Sequence, residues 1–184
     1  MRYLEPKKNA RRPWAVATAL GLTALLTAGI AQAEPEPIAA EPLMERNAFR
    51  SDVSIEITQQ LDGLPEQRVT HGDASHVTVV RFTIQPGAVF PWHTHPGTVL
   101  VNITEGEFVF VFAEDCEPRA YGPGDVVVDP GDTVHTSYNP SDDEETVVMA
   151  VLIGAPAEGP LTIHVDHDEG VALDEECGIE RNGM

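Results

Sequence analysis

Three histidines, at two places in the chain, are the residues best suited to chemistry. His93 and His95 are separated by one residue in the segment FPWHTH, and His135 follows a Pro-Gly turn some forty positions later. Successive side chains of a β-strand alternate between faces, so His93 and His95 point the same way. A third imidazole from a neighbouring strand would complete a set of nitrogen donors that suits zinc, iron, copper or nickel. The spacing therefore predicts a metal site formed by His93, His95 and His135.

Short alternating segments between glycine- and proline-containing turns must position these histidines. This pattern, without a convincing amphipathic helix, predicts an all-β fold: a single antiparallel β-barrel or jelly roll. Alternation also makes the phenylalanines of these strands barrel filling rather than a substrate box. The expected strands are 53–57, 76–84, the histidine strand, 99–104, 107–112, 125–129, 134–138 and 146–153, with 161–165 as a candidate edge strand.

The first 33 residues have the pattern of a signal peptide. A basic start precedes an apolar run from Ala15 to Ile30, and Ala31-Gln32-Ala33 suits cleavage after Ala33. The alternative is an uncleaved membrane anchor, because the run is near the lower length limit for a spanning helix. Cleavage predicts a periplasmic or secreted protein. The proline-containing segment 34–50 that follows is expected to be an extended linker.

The chain is strongly acidic. Its formal net charge is −19, and removal of the leader, with five basic residues and one acidic residue, leaves about −23. Nucleic acids and anionic membrane surfaces need a cationic face, so we exclude both as partners of the mature chain. The remaining length of about 150 residues is enough for one domain with a hydrophobic core.

Two cysteines, Cys116 and Cys177, are present. An exported chain meets an oxidising compartment, which favours a disulfide between them, worth about 4 kcal/mol in the chain-entropy model. Two unrelated thiols are the alternative. The disulfide would attach the acidic C-terminal tail, residues 166–184, to the barrel.

The two histidine segments resemble the paired motifs of the cupin superfamily. In the first motif, Gly87, His93, His95 and Gly106 fall in register. In the second, Gly124, Pro130, His135 and Asn139 match. The resemblance implies a double-stranded β-helix of the cupin type over residues 51–165, with the motifs in 75–153. It is similar to small exported single-domain cupins.

Two positions depart from the family pattern. Val99 replaces the glutamate that usually supplies a fourth protein ligand, although its side chain should still face the pocket. The glycine that follows the motif proline by two positions is Asp132 here, with Gly131 one place early. The turn before His135 is therefore expected to be built differently.

The resemblance implies one divalent metal ion, with iron, manganese, zinc and nickel all compatible, and a small-molecule substrate or ligand. Some cupin dioxygenases hold iron with three histidines, so dioxygenase-like chemistry is one expectation. A non-catalytic module that binds a small ligand is the alternative, and a homodimer is compatible with either. Because neutral imidazoles offset none of the metal's charge, an anionic or chelating oxygen ligand is favoured.

The remaining polar residues near the motifs have plainer interpretations. Trp92, Thr136, Tyr138, Asp129 and Asp132 are candidates to orient a ligand, although turn carboxylates are usually only solvated. The other four histidines are expected to be surface groups: His71, His76, His164 and His167.

Overall fold

The computed structural model describes residues 35–61, 63–71 and 74–181. The predicted signal peptide lies outside the described residues. No helix in the described part of the chain is long and apolar enough to cross a membrane. The elements are β1 (Ile38–Ala48), β2 (Ile55–Gln59), β3 (Gln67–His71), β4 (His76–Ile84), β5 (His93–Thr94), β6 (Thr98–Glu105), β7 (Phe108–Phe112), β8 (Arg119–Tyr121), β9 (Val126–Asp129), β10 (His135–Tyr138), β11 (Thr146–Ile153), β12 (Ile163–His164) and α1 (His167–Cys177).

Two five-stranded antiparallel sheets form the body of the fold. Their strand orders are β1-β4-β11-β6-β9 and β12-β5-β10-β7-β8, and β2 and β3 form a separate hairpin. The described strands form two distinct sheets rather than one closed barrel, an arrangement consistent with a jelly roll. The all-β prediction is confirmed, and so is the edge strand expected within 161–165, which is β12.

Strand β7 explains how the core is filled. Its sequence FVFVF is buried on both faces. Phe108, Phe110 and Phe112 belong to the main core between the sheets. Val109 and Val111 belong to a second cluster that includes Trp92 and partly buried residues of α1. The period-two pattern of a strand thus places large rings on one side and valines on the other.

The segment 34–50, expected to be a linker, instead contains strand β1. It pairs with β4 from Ile38 opposite Ile84 to Ala48 opposite His76, with register shifts beyond Pro42. An edge strand tolerates proline because one row of its backbone N–H groups has no ladder partner. Most of its side chains are exposed, so the strand lacks the apolar alternation on which the prediction depended.

The C-terminal segment 166–184, expected to be an acidic tail, contains helix α1 over His167–Cys177. Its first turn carries Asp168 and Glu169, which suit the positive end of the helix dipole. Gly178 ends the helix in the left-handed conformation at φ 65°. Cys177 forms the predicted disulfide with Cys116, at a Cα–Cα distance of 4.8 Å. The helix is thereby attached to the turn that follows β7.

Candidate metal centre

Strands β5 and β10 bring the three predicted histidines together. His93 lies directly opposite His135 in the ladder, and their ring centroids are 4.3 Å apart. The His95 ring centroid lies 4.8 Å from that of His93 and 5.3 Å from that of His135. One ring nitrogen from each residue lies within 4.8 Å of the others. A metal with bonds of about 2.1 Å holds adjacent donors roughly 3 to 3.5 Å apart, so the rings would have to move inward to complete the set.

The outer nitrogen of each ring is already engaged. The Nδ1 atoms of His93, His95 and His135 lie 2.6, 2.7 and 2.9 Å from the carbonyl oxygens of Pro91, Leu161 and Thr133. A carbonyl can only accept a hydrogen bond, so each Nδ1 must be the protonated, donating nitrogen. A neutral ring then presents the lone pair of Nε2 to the interior. Metal-binding histidines are commonly held in this way.

Burial keeps two of these rings neutral. Burial, together with the neighbouring His135 and His95, lowers the pKa of His93 to about 2. Burial likewise lowers the pKa of His135 to about 3, against the opposing effect of its hydrogen bond to the Thr133 carbonyl. Neutral imidazole is the form that binds metals, so neither ring has to lose a proton near neutral pH.

A buried carboxylate completes the cluster. Asp129, at the end of β9, is 1% exposed. Its Oδ1 accepts a hydrogen bond from the backbone N–H of Gly131 at 2.8 Å. Its Oδ2 lies 3.2 Å from His135 Nε2 and 3.4 Å from His95 Nε2, yet no group in the described part of the chain forms a hydrogen bond with it. Burial raises the pKa of this carboxyl to about 6, against the opposing effect of His95.

This orphaned oxygen tests whether the residues fit a metal. Each neutral imidazole donates its single N–H to a backbone carbonyl. The Nε2 atoms of the histidines and Asp129 Oδ2 are therefore all hydrogen-bond acceptors, and they face one another. Such an arrangement is unfavourable without a cation or an added proton between the atoms. Nitrogen and carboxylate donors at these separations are the donor set of a transition-metal site. The residues therefore fit a divalent metal.

The turn before His135 is built around Gly131. Gly131 adopts φ +103°, and a Cβ atom there would lie 2.4 Å from the Gly97 carbonyl oxygen. The Gly131 carbonyl accepts a hydrogen bond from His95 N at 2.7 Å. Only glycine fits this backbone conformation and this close approach. Gly131 thus holds both His95 and Asp129 through its backbone, while Asp132 is exposed.

A cavity of about 230 Å³ opens onto the histidines and Asp129. Its walls are mainly apolar and include Val99, as predicted, and four of the phenylalanines assigned to barrel filling. Those rings therefore fill the core and also line the cavity. The phenylalanines concerned are Phe82, Phe90, Phe108 and Phe110. A larger open groove, of about 550 Å³, lies beside α1 on the outer side of Trp92, and the three clustered histidines do not line it.

The other predicted orienting groups face elsewhere. Trp92 is buried on the outer side, where its Nε1 donates to Asp174 Oδ1 at 2.7 Å. Thr136 Oγ1 donates to the Phe90 carbonyl at 2.6 Å, and Tyr138 packs in the outer cluster. These three residues support the fold, and none of them lines the cavity.

His164 is solvent-exposed, as predicted, and it also lines the same cavity. It lies opposite His93 in the β5–β12 ladder, with ring centroids 6.1 Å apart. His71 and His76 are half-buried rather than surface groups. His71 Nε2 lies 2.6 Å from Thr98 Oγ1, and His76 Nδ1 lies 2.8 Å from Ser75 Oγ. Motif spacing missed His164 because only strand pairing with β5 brings it to the site.

Comparisons with known proteins agree with this fold. Residues 80–152 match the family model of the cupin domain. A germin-like protein from Ipomoea nil is 40% identical over 58 residues, which are 29% of this chain and 27% of that protein. The match thus spans about a quarter of that relative's length. Residues 80–152 of this chain are therefore similar to the cupin domain.

Solved structures with similar folds include three bacterial proteins. The polyketide cyclase RemF from Streptomyces resistomycificus is 18% identical, with a TM-score of 0.44, and the match covers 54% of this chain and 68% of RemF. A cupin-like protein from Thermotoga maritima is 26% identical, with a TM-score of 0.42, covering 53% of this chain and 72% of that one. KdgF from a Halomonas species is 17% identical, with a TM-score of 0.42, and the match covers 68% of this chain and 87% of KdgF.

Proposed function

We propose that this chain is an exported cupin that holds one divalent metal ion through His93, His95 and His135. The single observation that carries the proposal is the shared orientation of the three rings. Each Nδ1 donates to a backbone carbonyl, which leaves an inward Nε2 for a metal. Iron, manganese, zinc and nickel all accept imidazole donors, so these residues alone select none of them.

The reaction that this site supports is small-molecule chemistry of a dioxygenase-like or related kind. When bound, the metal would supply a Lewis acid and, if redox-active, a site for oxygen. The apolar cavity walls would bind the body of a small substrate and exclude water from its reacting end. An anionic or chelating oxygen group on the substrate would be directed toward the histidines. His164, exposed at the cavity wall, would contact that substrate.

Export is supported by two separate features. The leader sequence has the order of regions that signal peptidase recognises. The Cys116–Cys177 disulfide is typical of oxidising compartments such as the periplasm or the extracellular medium. We therefore assign residues 1–33 to a signal peptide and the rest to a single periplasmic or secreted unit.

Elemental analysis of the mature protein, purified from its exported compartment without chelators, tests the metal proposal. About one equivalent of a single divalent metal is expected, and dialysis against a chelator followed by reloading should restore it. Protein that holds no more than a trace of metal, and takes up none of the four candidate ions, would contradict a metal-centred function. The identity of the metal would then narrow the reaction class.

A second candidate is a binding module without catalysis, which the mainly apolar lining of the cavity favours. In that case small apolar ligands should bind equally well after chelation and in the His93→Ala variant. A fluorescent hydrophobic probe, titrated into loaded, chelated and variant protein, separates the two functions. Release of the probe on chelation alone would exclude the metal-independent module.

A further inference from the structure

We infer that Asp129 is a fourth protein ligand of the metal, supplied from β9 in place of the glutamate for which Val99 is substituted. This inference rests on the proposed three-histidine metal site. It changes the inner donor set from three neutral nitrogens to three nitrogens and one carboxylate oxygen.

The first support is distance. Asp129 Oδ2 lies 3.2 Å from His135 Nε2 and 3.4 Å from His95 Nε2. Donor atoms that share one ion with bonds of about 2.1 Å lie roughly 3 to 3.5 Å apart in tetrahedral or octahedral geometry. The carboxylate oxygen therefore stands at the spacing expected of a ligand adjacent to both imidazoles.

The second support is the missing donor. Asp129 Oδ2 is a buried side-chain oxygen with no hydrogen-bond partner in the described part of the chain. Among the described residues, the basic side-chain nitrogens within 4 Å of the Asp129 carboxylate are Nε2 of His95 and Nε2 of His135. The ring protons of both histidines are directed to the backbone carbonyls of Leu161 and Thr133. Buried carboxylates without a donor are costly, so a cation is the natural partner.

The third support is orientation. Asp129 Oδ1 is occupied by the Gly131 N–H at 2.8 Å, which fixes the carboxylate with Oδ2 directed at the histidines. The Gly131 backbone itself is confined by the neighbouring Gly97 carbonyl. The acid is thus preorganised for binding through a single oxygen.

The fourth support is register. Val99 and Asp129 are direct partners in the β6–β9 ladder. Directly opposed residues of an antiparallel pair project to the same face with Cβ atoms about 5 Å apart. Both side chains line the cavity. A carboxylate on β9 can therefore reach the region that a glutamate at position 99 would serve.

A matched set of variants of the mature, full chain tests the inference with Co²⁺ as the probe ion. Asp129→Asn keeps the shape and the acceptor for Gly131 but replaces Oδ2 with an amide. Asp132→Asn removes the same charge from the exposed turn three residues away and serves as the control. Val99→Glu combined with Asp129→Ala moves the carboxylate back across the ladder. Competition titration gives the affinity, and visible absorption of bound Co²⁺ reports its coordination.

We expect Asp129→Asn to weaken Co²⁺ binding by about a hundredfold and to change the absorption spectrum, because an inner oxygen donor is lost. The Co²⁺ affinity of Asp132→Asn should stay within about twofold of that of the parent, since an exposed charge is screened. The double variant Val99→Glu, Asp129→Ala should bind Co²⁺ at least about tenfold more tightly than Asp129→Asn does. The melting temperature of metal-free Asp129→Asn should equal or exceed that of the parent, because its amide can donate to a ring Nε2.

Wild-type affinity and an unchanged spectrum in Asp129→Asn would overturn the inference and leave the three-histidine site standing. Weaker binding with an unchanged spectrum would also overturn it, because Asp129 would then act from outside the inner sphere. A melting temperature that falls as much without metal as with it would assign Asp129 a structural role instead. If the parent protein binds no Co²⁺, the proposed function itself fails.

Discussion

Asp129 is the direct ladder partner of Val99. The family motif places a glutamate at position 99, and here the buried carboxylate lies one strand away, with Oδ2 against two imidazoles. The site therefore retains an acid although the motif position has lost one. A motif read along a single strand cannot detect an exchange between neighbouring strands.

Replacement of His135 should remove metal while leaving most of the fold. His135→Ala is expected to lower metal affinity by at least about a hundredfold, since one of three nitrogen donors is lost. The ring is 2% exposed and stacks on Phe110 at 4.7 Å, so some loss of stability should accompany the change. Metal content after exhaustive dialysis is the measurement. His167→Ala, on α1, is the control, and equal metal loss in both variants would contradict the assignment.

Gly131→Ala should destabilise the site and the fold together. A Cβ atom at φ +103° would lie 2.4 Å from the Gly97 carbonyl oxygen, so the backbone that holds His95 and Asp129 must move. We expect a loss of about 2–3 kcal/mol in the free energy of unfolding.

Gly122→Ala is the matched control for that change. A Cβ atom at Gly122 would have no described residue within 4 Å, so the effect of this substitution should stay within about 0.5 kcal/mol. Urea denaturation of both variants gives the two values. Equal stability of the two alanine variants would show that the turn tolerates a side chain at position 131.

The disulfide should contribute substantially to stability. Cys116 and Cys177 are 61 residues apart in sequence, so their link restricts a long loop in the unfolded chain. The double variant Cys116→Ser, Cys177→Ser is expected to lose about 2–4 kcal/mol. Reductant should lower the melting temperature of the parent to that of the double variant and leave the double variant unchanged. A parent insensitive to reductant under unfolding conditions would contradict this prediction.

The contribution of the Asp115–Arg119 ion pair to the free energy of unfolding should depend on pH. The Arg119 guanidinium donates to both oxygens of Asp115, at 2.6 and 3.3 Å, and lowers the pKa of that carboxyl. A lowered folded-state pKa stabilises the fold above the unfolded value of about 4, and the contribution is lost as pH falls through the folded value. Asp115→Asn should therefore cost about 0.5–1 kcal/mol at pH 7.

The same substitution should cost almost nothing once pH has fallen below the folded-state pKa of Asp115. Denaturant titrations of the parent and of Asp115→Asn at neutral and strongly acidic pH give the two differences. A difference that stays constant across that range would mean that the ion pair is not the cause.

Local periodicity and motif spacing predicted much of the fold and the three histidines. Strand β4 begins and ends at the predicted residues, and β11 does too. Such elements follow period-two burial, which is a local property of the sequence. His93 and His95 share a face for the same reason. The pairing of His93 with His135 follows from the resemblance to a known pair of motifs.

What sequence reasoning missed depends on contacts between distant segments. Asp129 is predicted only as a turn carboxylate that orients a ligand, although its parity with the core residue Val127 places it inward. His164 reaches the cavity only because β12 pairs with β5. Strand β1 is stabilised by β4 rather than by an apolar face of its own. Helix α1 carries no fully buried residue, so it lacks the pronounced amphipathic pattern by which helices are recognised.

One acceptor lies well past the recognised domain. The carbonyl that receives the His95 ring proton belongs to Leu161, whereas the family match ends at residue 152. A chain truncated at residue 152 would keep all three histidines, but His95 Nδ1 would lose its acceptor, so the His95 ring would no longer be held in one tautomer. This hydrogen bond therefore sets the shortest fragment suitable for expression, which should extend through β12 to Cys177, the last residue of α1.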